Sequence, residues 1–101
     1  MKVKSLEDII PENYAEGVQK RRLIHKKDGA ENFYMRLFAI DEKAPFPPPH
    51  RHPWEHEIYI LEGQGVIIGD DGEKQFKAGD VIFIPPNETH QFKQQGTLRF
   101  I

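Results

Sequence analysis

The stretch HRHPWEHEIYILEG, residues 50–63, puts three imidazoles within seven residues and then enters an apolar run. Side chains two apart on an extended chain share a face, so His50 and His52 project together. Pro53 turns the chain before EIYIL and lets His56 approach the same point from a neighbouring position. A fourth histidine, His90, follows 38 positions after His52. Imidazole is the commonest protein ligand for transition metals, so the clustering reads as a metal-ligand set. His25, the remaining histidine, lies in a basic polar stretch and reads as an ordinary surface residue.

Outward from this cluster the chain is a series of short β-type runs: VQKRRLIH, NFYMRLFAI, EIYILEG, GVIIG, EKQFKAG, DVIFIP, HQFK and TLRFI. Eight short strand candidates with turn residues between them predict an all-β sandwich or barrel. Asp70, Asp71 and Gly72 mark the clearest hairpin, because aspartate and glycine take positive φ readily. Residues 1–16 form an amino-terminal arm of mixed composition, with a helical turn predicted around SLEDII and Ser5 as its cap. The segment APFPPPH, residues 44–50, carries four prolines and cannot be a central strand. It reads as stiff extended chain, a rigid connection at a sheet edge; a sharper reading has the same rigidity preorganise His50 and His52.

A chain of 101 residues, 38% hydrophobic, accommodates one domain, 1–101. Lysine plus arginine number 14 against 16 aspartate plus glutamate, so there is no basic footprint for nucleic acid. The most basic stretch, QKRRLIHKK at 19–27, reads as the solvated face of an edge strand. The absence of cysteine excludes disulfides, thiolate zinc sites and cysteine nucleophiles. No signal-peptide-like run and no stretch of 18 apolar residues is present, which points to a cytoplasmic protein with no membrane association.

With these residues in view, the chain resembles the cupin family, whose first motif is G(X)5HXH(X)3-4E(X)6G and second G(X)5PXG(X)2H(X)3N. Here the first runs from His50 to Gly63 without its leading glycine; the second runs from Gly79 to Gln94, with Asn87 at the inner glycine and Gln94 at the final asparagine. The resemblance implies a double-stranded β-helix, or jelly-roll conical β-barrel, with a metal inside held by three histidines and a glutamate. Asn87 fits because asparagine tolerates the left-handed conformation.

At the acidic position this chain departs from the motif. Counting back six intervening residues from Gly63 reaches His56 and leaves Glu57 one residue off, so the expected set is His50, His52, His56 and His90. The alternative is three histidines plus Glu57. Four neutral imidazoles leave a divalent ion doubly positive, which favours an anionic ligand. Imidazole does not name the metal; the resemblance favours manganese or iron, ahead of nickel or zinc.

Candidate substrate-binding residues are Arg36, Tyr34, Trp54, Ile60 and Phe92; no spacing singles out a catalytic acid or base. Arg36 would be a carboxylate-binding fork if its strand face is interior. The resemblance implies an enzyme acting on a small carboxylate or other small anion, either a dioxygenase or an oxalate-decarboxylase-like lyase. The alternative is a metal-dependent ligand-binding or sensing module. Against oxalate turnover, Pro47 stands where an arginine is usual. Both faces of EIYIL and DVIFI are apolar, and one barrel buries only the inner face, so the outer face is expected to meet a second sheet or a second subunit; the resemblance favours a homodimer.

Overall fold

Short runs carrying β-branched and aromatic residues build most of the seven strands. In the computed structural model, which describes residues 1–101, they are β1 (Glu12–Ala15), β2 (Val18–Ile24), β3 (Met35–Ile40), β4 (His56–Gly69), β5 (Gly72–Lys77), β6 (Val81–Ile84) and β7 (Gln91–Phe100). All pairings are antiparallel, in the order β1-β2-β3-β7-β4-β5, and β6 pairs with the first residues of β4. The fold is the all-β jelly roll expected. Only two short 3-10 turns, Leu6–Asp8 and Lys26–Asp28, interrupt it, and no helix is long and apolar enough to cross a membrane.

Three local readings need correction. EIYILEG and GVIIG form one strand, because Gly63 does not stop β4; its φ of +94° makes a bulge with register shifts on both sides of Glu62. HQFK and TLRFI likewise join as β7 through Gly96, φ +87°. The turn at SLEDII is a single 3-10 turn in which the Ser5 side chain makes no capping bond, and the arm adds an unexpected strand, β1. The Asp70–Asp71 hairpin forms as expected, closed by Gly69 opposite Gly72.

Strand parity sorts the two faces. Opposite pairs run His56–Ile84, Glu57–Phe83, Ile58–Ile82 and Tyr59–Val81. Ile84, Ile58, Ile60, Phe76 and Leu98 are the buried core, with Phe92 and Phe100 packed against it. Burying each such side chain contributes about 1.5–3 kcal/mol. Tyr59, Val81 and Phe83 are instead exposed on the outer face.

The proline run, residues 45–49, has no regular structure and is tied down from β7. Gln91 Nε2 donates to the Pro47 carbonyl at 2.8 Å, and buried Gln94 Nε2 donates to the Ala44 carbonyl at 3.0 Å. These amides fasten the segment that leads into His50.

Candidate metal centre

His50 and His90 are joined by an isolated antiparallel bridge at the base of the proline run. His52 lies two residues on, where its carbonyl accepts from Asn87 N at 2.8 Å. Asn87 is the one non-glycine residue with positive φ, +65°, as the motif comparison anticipated. Two loops are thereby pinned against each other with their histidines facing.

The ring nitrogens are oriented by the backbone. Nδ1 of His52 lies 2.9 Å from the Trp54 carbonyl, Nδ1 of His90 lies 2.9 Å from that of Glu88, and Nδ1 of His50 lies 3.4 Å from that of Pro48. A carbonyl only accepts, so each Nδ1 carries the proton and each Nε2 is left with a free lone pair. The ligand atoms of His50, His52 and His90 lie within 4.8 Å of one another. His52 Nε2 is fully enclosed and has no hydrogen-bond partner in the chain. A buried acceptor left without a donor is costly, and a metal ion satisfies it. By that test the residues fit a divalent ion.

The expected fourth ligand is placed beside this group. The His56 ring stands edge-on to His52 with centroids 4.4 Å apart, and 5.9 Å from His90. It is outside the mutually close trio. Parity puts it on the inner side, opposite Ile84, whereas Glu57 points outward opposite exposed Phe83. Glu57 is exposed, and desolvation together with Glu55 beside it raises its carboxyl pKa.

Burial, then the neighbouring His52 ring and the Arg36 guanidinium, hold the His56 pKa down to about 4. Burial also lowers that of His90. Both rings are therefore neutral at pH 7, the form that binds a metal.

The candidate substrate residues divide. The Arg36 guanidinium lies 5.4 Å over the Phe38 ring, on the inner face of β3, and its charge reaches His56. Trp54 lies flat on His52, centroids 4.5 Å apart at 5°, while staying 59% exposed. Phe92 stacks on Phe100 on the inner face. Ile60 has no exposed surface and packs in the core, and Tyr34 is exposed ahead of β3.

Lys20 was missed. QKRRLIHKK is not the solvated face of an edge strand, because β1 covers the free edge of β2 and Lys20 is only 6% exposed. The alternation of β2 sets Lys20 opposite Phe38, on the Arg36 side. Two open clefts, of about 750 and 610 Å³, include none of His50, His52, His56 and His90. The larger is lined by charges that pair with one another, Lys2 with Asp28 and Arg22 with Glu12.

The fold and the histidine geometry define a cupin, and a match to the cupin domain family over residues 36–101 agrees: the chain belongs to that family. Among solved structures it is similar to the polyketide cyclase RemF from Streptomyces resistomycificus, 35% identical with a TM-score of 0.88 over 99% of this chain and 75% of that one. It is also similar to a predicted oxalate decarboxylase from Thermotoga maritima, 27% identical with a TM-score of 0.78 over 98% of this chain and 94% of that one. An oxalate-binding protein from Thermotoga maritima is 39% identical over 67 residues, 60% of this chain and 53% of that protein. The chain spans about half the length of the curated relatives it matches.

Proposed function

We propose that this protein is a mononuclear divalent-metal cupin that takes a small oxygen-rich anion, a carboxylate or a carbonyl-bearing enolate, and transforms it as a lyase or dioxygenase. His50, His52 and His90 hold the metal, and His56 is the fourth ligand in place of the family's glutamate. The observation that carries this reading is the convergence of the three rings, each with Nδ1 against a backbone carbonyl and a ligand nitrogen within 4.8 Å of the others, and with His52 Nε2 buried and unpartnered. Manganese or iron is favoured, ahead of nickel or zinc.

When bound, the ion supplies Lewis-acid polarisation of a ligand oxygen or, if iron, access to dioxygen. The chain's own residues do the rest. The Trp54 indole holds the His52 ring flat, and its carbonyl fixes the tautomer. Arg36, half-buried with no carboxylate partner, adds a cationic fork on the same inner face. Similarity to proteins named for oxalate binding and polyketide cyclisation supports an oxygen-rich ligand.

Non-catalytic binding is the second reading, favoured by the relative named simply as oxalate-binding. Elemental analysis of protein purified without added metal, followed by oxygen uptake and carbon dioxide release with a panel of small carboxylates and diketones, separates the two. No turnover across the panel by metal-loaded protein, with tight binding of one member, rejects the enzyme. Absence of stoichiometric metal at any of the four ions rejects both. The exposed outer face of Tyr59, Val81 and Phe83 supports a homodimer.

A further inference from the structure

We propose that Lys20 and Arg36 form a second, anion-recognising subsite on the inner face of β2 and β3, and that it takes the far end of an elongated, planar conjugated anion. Only the assignment of the near end to the histidine centre rests on the proposed metal function.

Lysine is almost never buried without a partner, yet Lys20 is 6% exposed and takes part in none of the chain's ion pairs or side-chain hydrogen bonds. The carboxylate placed to neutralise it is committed elsewhere. Glu12 sits directly opposite Lys20 in the β1–β2 register, but its Oε1 accepts from Arg22 Nε at 2.9 Å. What Lys20 has is the Tyr14 ring, 4.8 Å from its Nζ. Arg36 is its diagonal neighbour, because Lys20 faces Phe38 and Arg22 faces Arg36; diagonal cross-strand positions are within reach of long side chains. This patch therefore holds three cations against one carboxylate. Burial and the charges of Arg22 and Arg36 lower the Lys20 pKa, outweighing Glu12, which is the electrostatic condition a bound anion relieves.

The surface beside these cations favours a flat ligand. Tyr14, Phe38, Phe100, Phe92 and Phe76 make a continuous aromatic row with successive centroid spacings of 5.4, 5.3, 5.7 and 5.9 Å. Phe38, Phe92 and Phe100 remain only half-buried on the inner face, and Tyr14 is 59% exposed. A conjugated body lying on this row carries its terminal carboxylate or enolate oxygen to Lys20 and Arg36. The chemistry that fits is an aryl carboxylate or an extended conjugated enolate, longer than oxalate. The competing account is a lysine stem that merely covers Tyr14.

The test uses the full chain freed of metal, titrated with naphthoate and with its neutral counterpart naphthalenemethanol. Wild type should prefer naphthoate by about tenfold or more, the scale of one charge-assisted hydrogen bond. The preference should collapse toward unity in Lys20→Met and Arg36→Met and persist in Lys20→Arg, with thermal melts confirming that each variant is folded. No preference in wild type, or an undiminished one in folded Lys20→Met, overturns the subsite; so does its loss in Lys20→Arg together with its survival in Arg36→Met. Metal affinity is measured separately on the same proteins, so failure of the histidine centre to bind an ion is read independently of this result.

Discussion

His50 and His90 exchange both backbone hydrogen bonds, His50 N to His90 O at 3.1 Å and His90 N to His50 O at 2.9 Å. This reciprocal pair brings their rings to 4.4 Å and fastens the proline run to the start of β7. Ligand spacing is thus set by main chain, before any ion arrives. His50→Ala, His52→Ala and His90→Ala should each abolish stoichiometric metal while leaving the fold intact. In wild type, chelation should lower the melting temperature, since an ion at 1,000 times its Kd adds about 4 kcal/mol.

The neighbours His56 and Glu57 give opposite expectations. His56→Ala should weaken metal affinity at least about tenfold, and Glu57→Ala should leave it unchanged, because Glu57 faces outward with Phe83. Competition titrations with a chromogenic chelator read both. Retained affinity in His56→Ala with loss in Glu57→Ala would falsify the four-histidine assignment.

The stability of metal-free protein should fall as pH drops from about 6.5 towards 4. Burial lowers the folded His56 pKa from 6.5 to about 4, with His90 shifted the same way. In that window the unfolded chain binds more protons, so stability rises with pH. Melts of the metal-free protein at pH 4.5 and 7.5 should differ, and His56→Gln should reduce the difference. An identical slope in that variant would remove His56 as the source.

The histidine cluster was legible because two-residue alternation and motif spacing are local properties of sequence. So was the outward direction of Glu57, because adjacent residues on a strand face opposite sides and Glu57 follows His56. Lys20 was not legible. Whether QKRRLI lies at an edge depends on ENYA pairing with it as β1, and that segment has no alternation of apolar residues to announce a strand. The continuity of β4 was hidden for a related reason. Gly63 looks like a strand end locally, whereas its role is set by Thr97 and Leu98 on the partner strand.

That role is testable. A Cβ at Gly63 would collide with the Thr97 carbonyl oxygen, and its φ of +94° is strained for any other residue. Gly63→Ala should cost about 3 kcal/mol or more, in the range of backbone clash and strain. Gly29→Ala, at φ +89° with nothing within 4 Å of its Cβ, should cost about 1–2 kcal/mol. Denaturant melts of the two variants compare them directly; equal losses would mean that φ alone, and not contact with β7, fixes the bulge.

The outer face of the β4–β6 pair is an uncovered apolar patch. Val81 is 77% exposed and Phe83 58% on β6, which pairs with β4 alone, and Tyr59 beside them on β4 is 47% exposed. Side chains this apolar gain about 25 cal/mol for each Å² removed from water, and an exposed edge invites pairing with another chain. A second copy of this chain offers the same apolar patch, so a two-fold arrangement can cover both at once. Light scattering of wild type should therefore give a dimer mass, and Phe83→Lys combined with Val81→Lys should give a monomer that still binds metal, because both residues point away from His56 and Ile84. A wild-type monomer, or a double variant that stays dimeric, would show that this face is not the subunit contact.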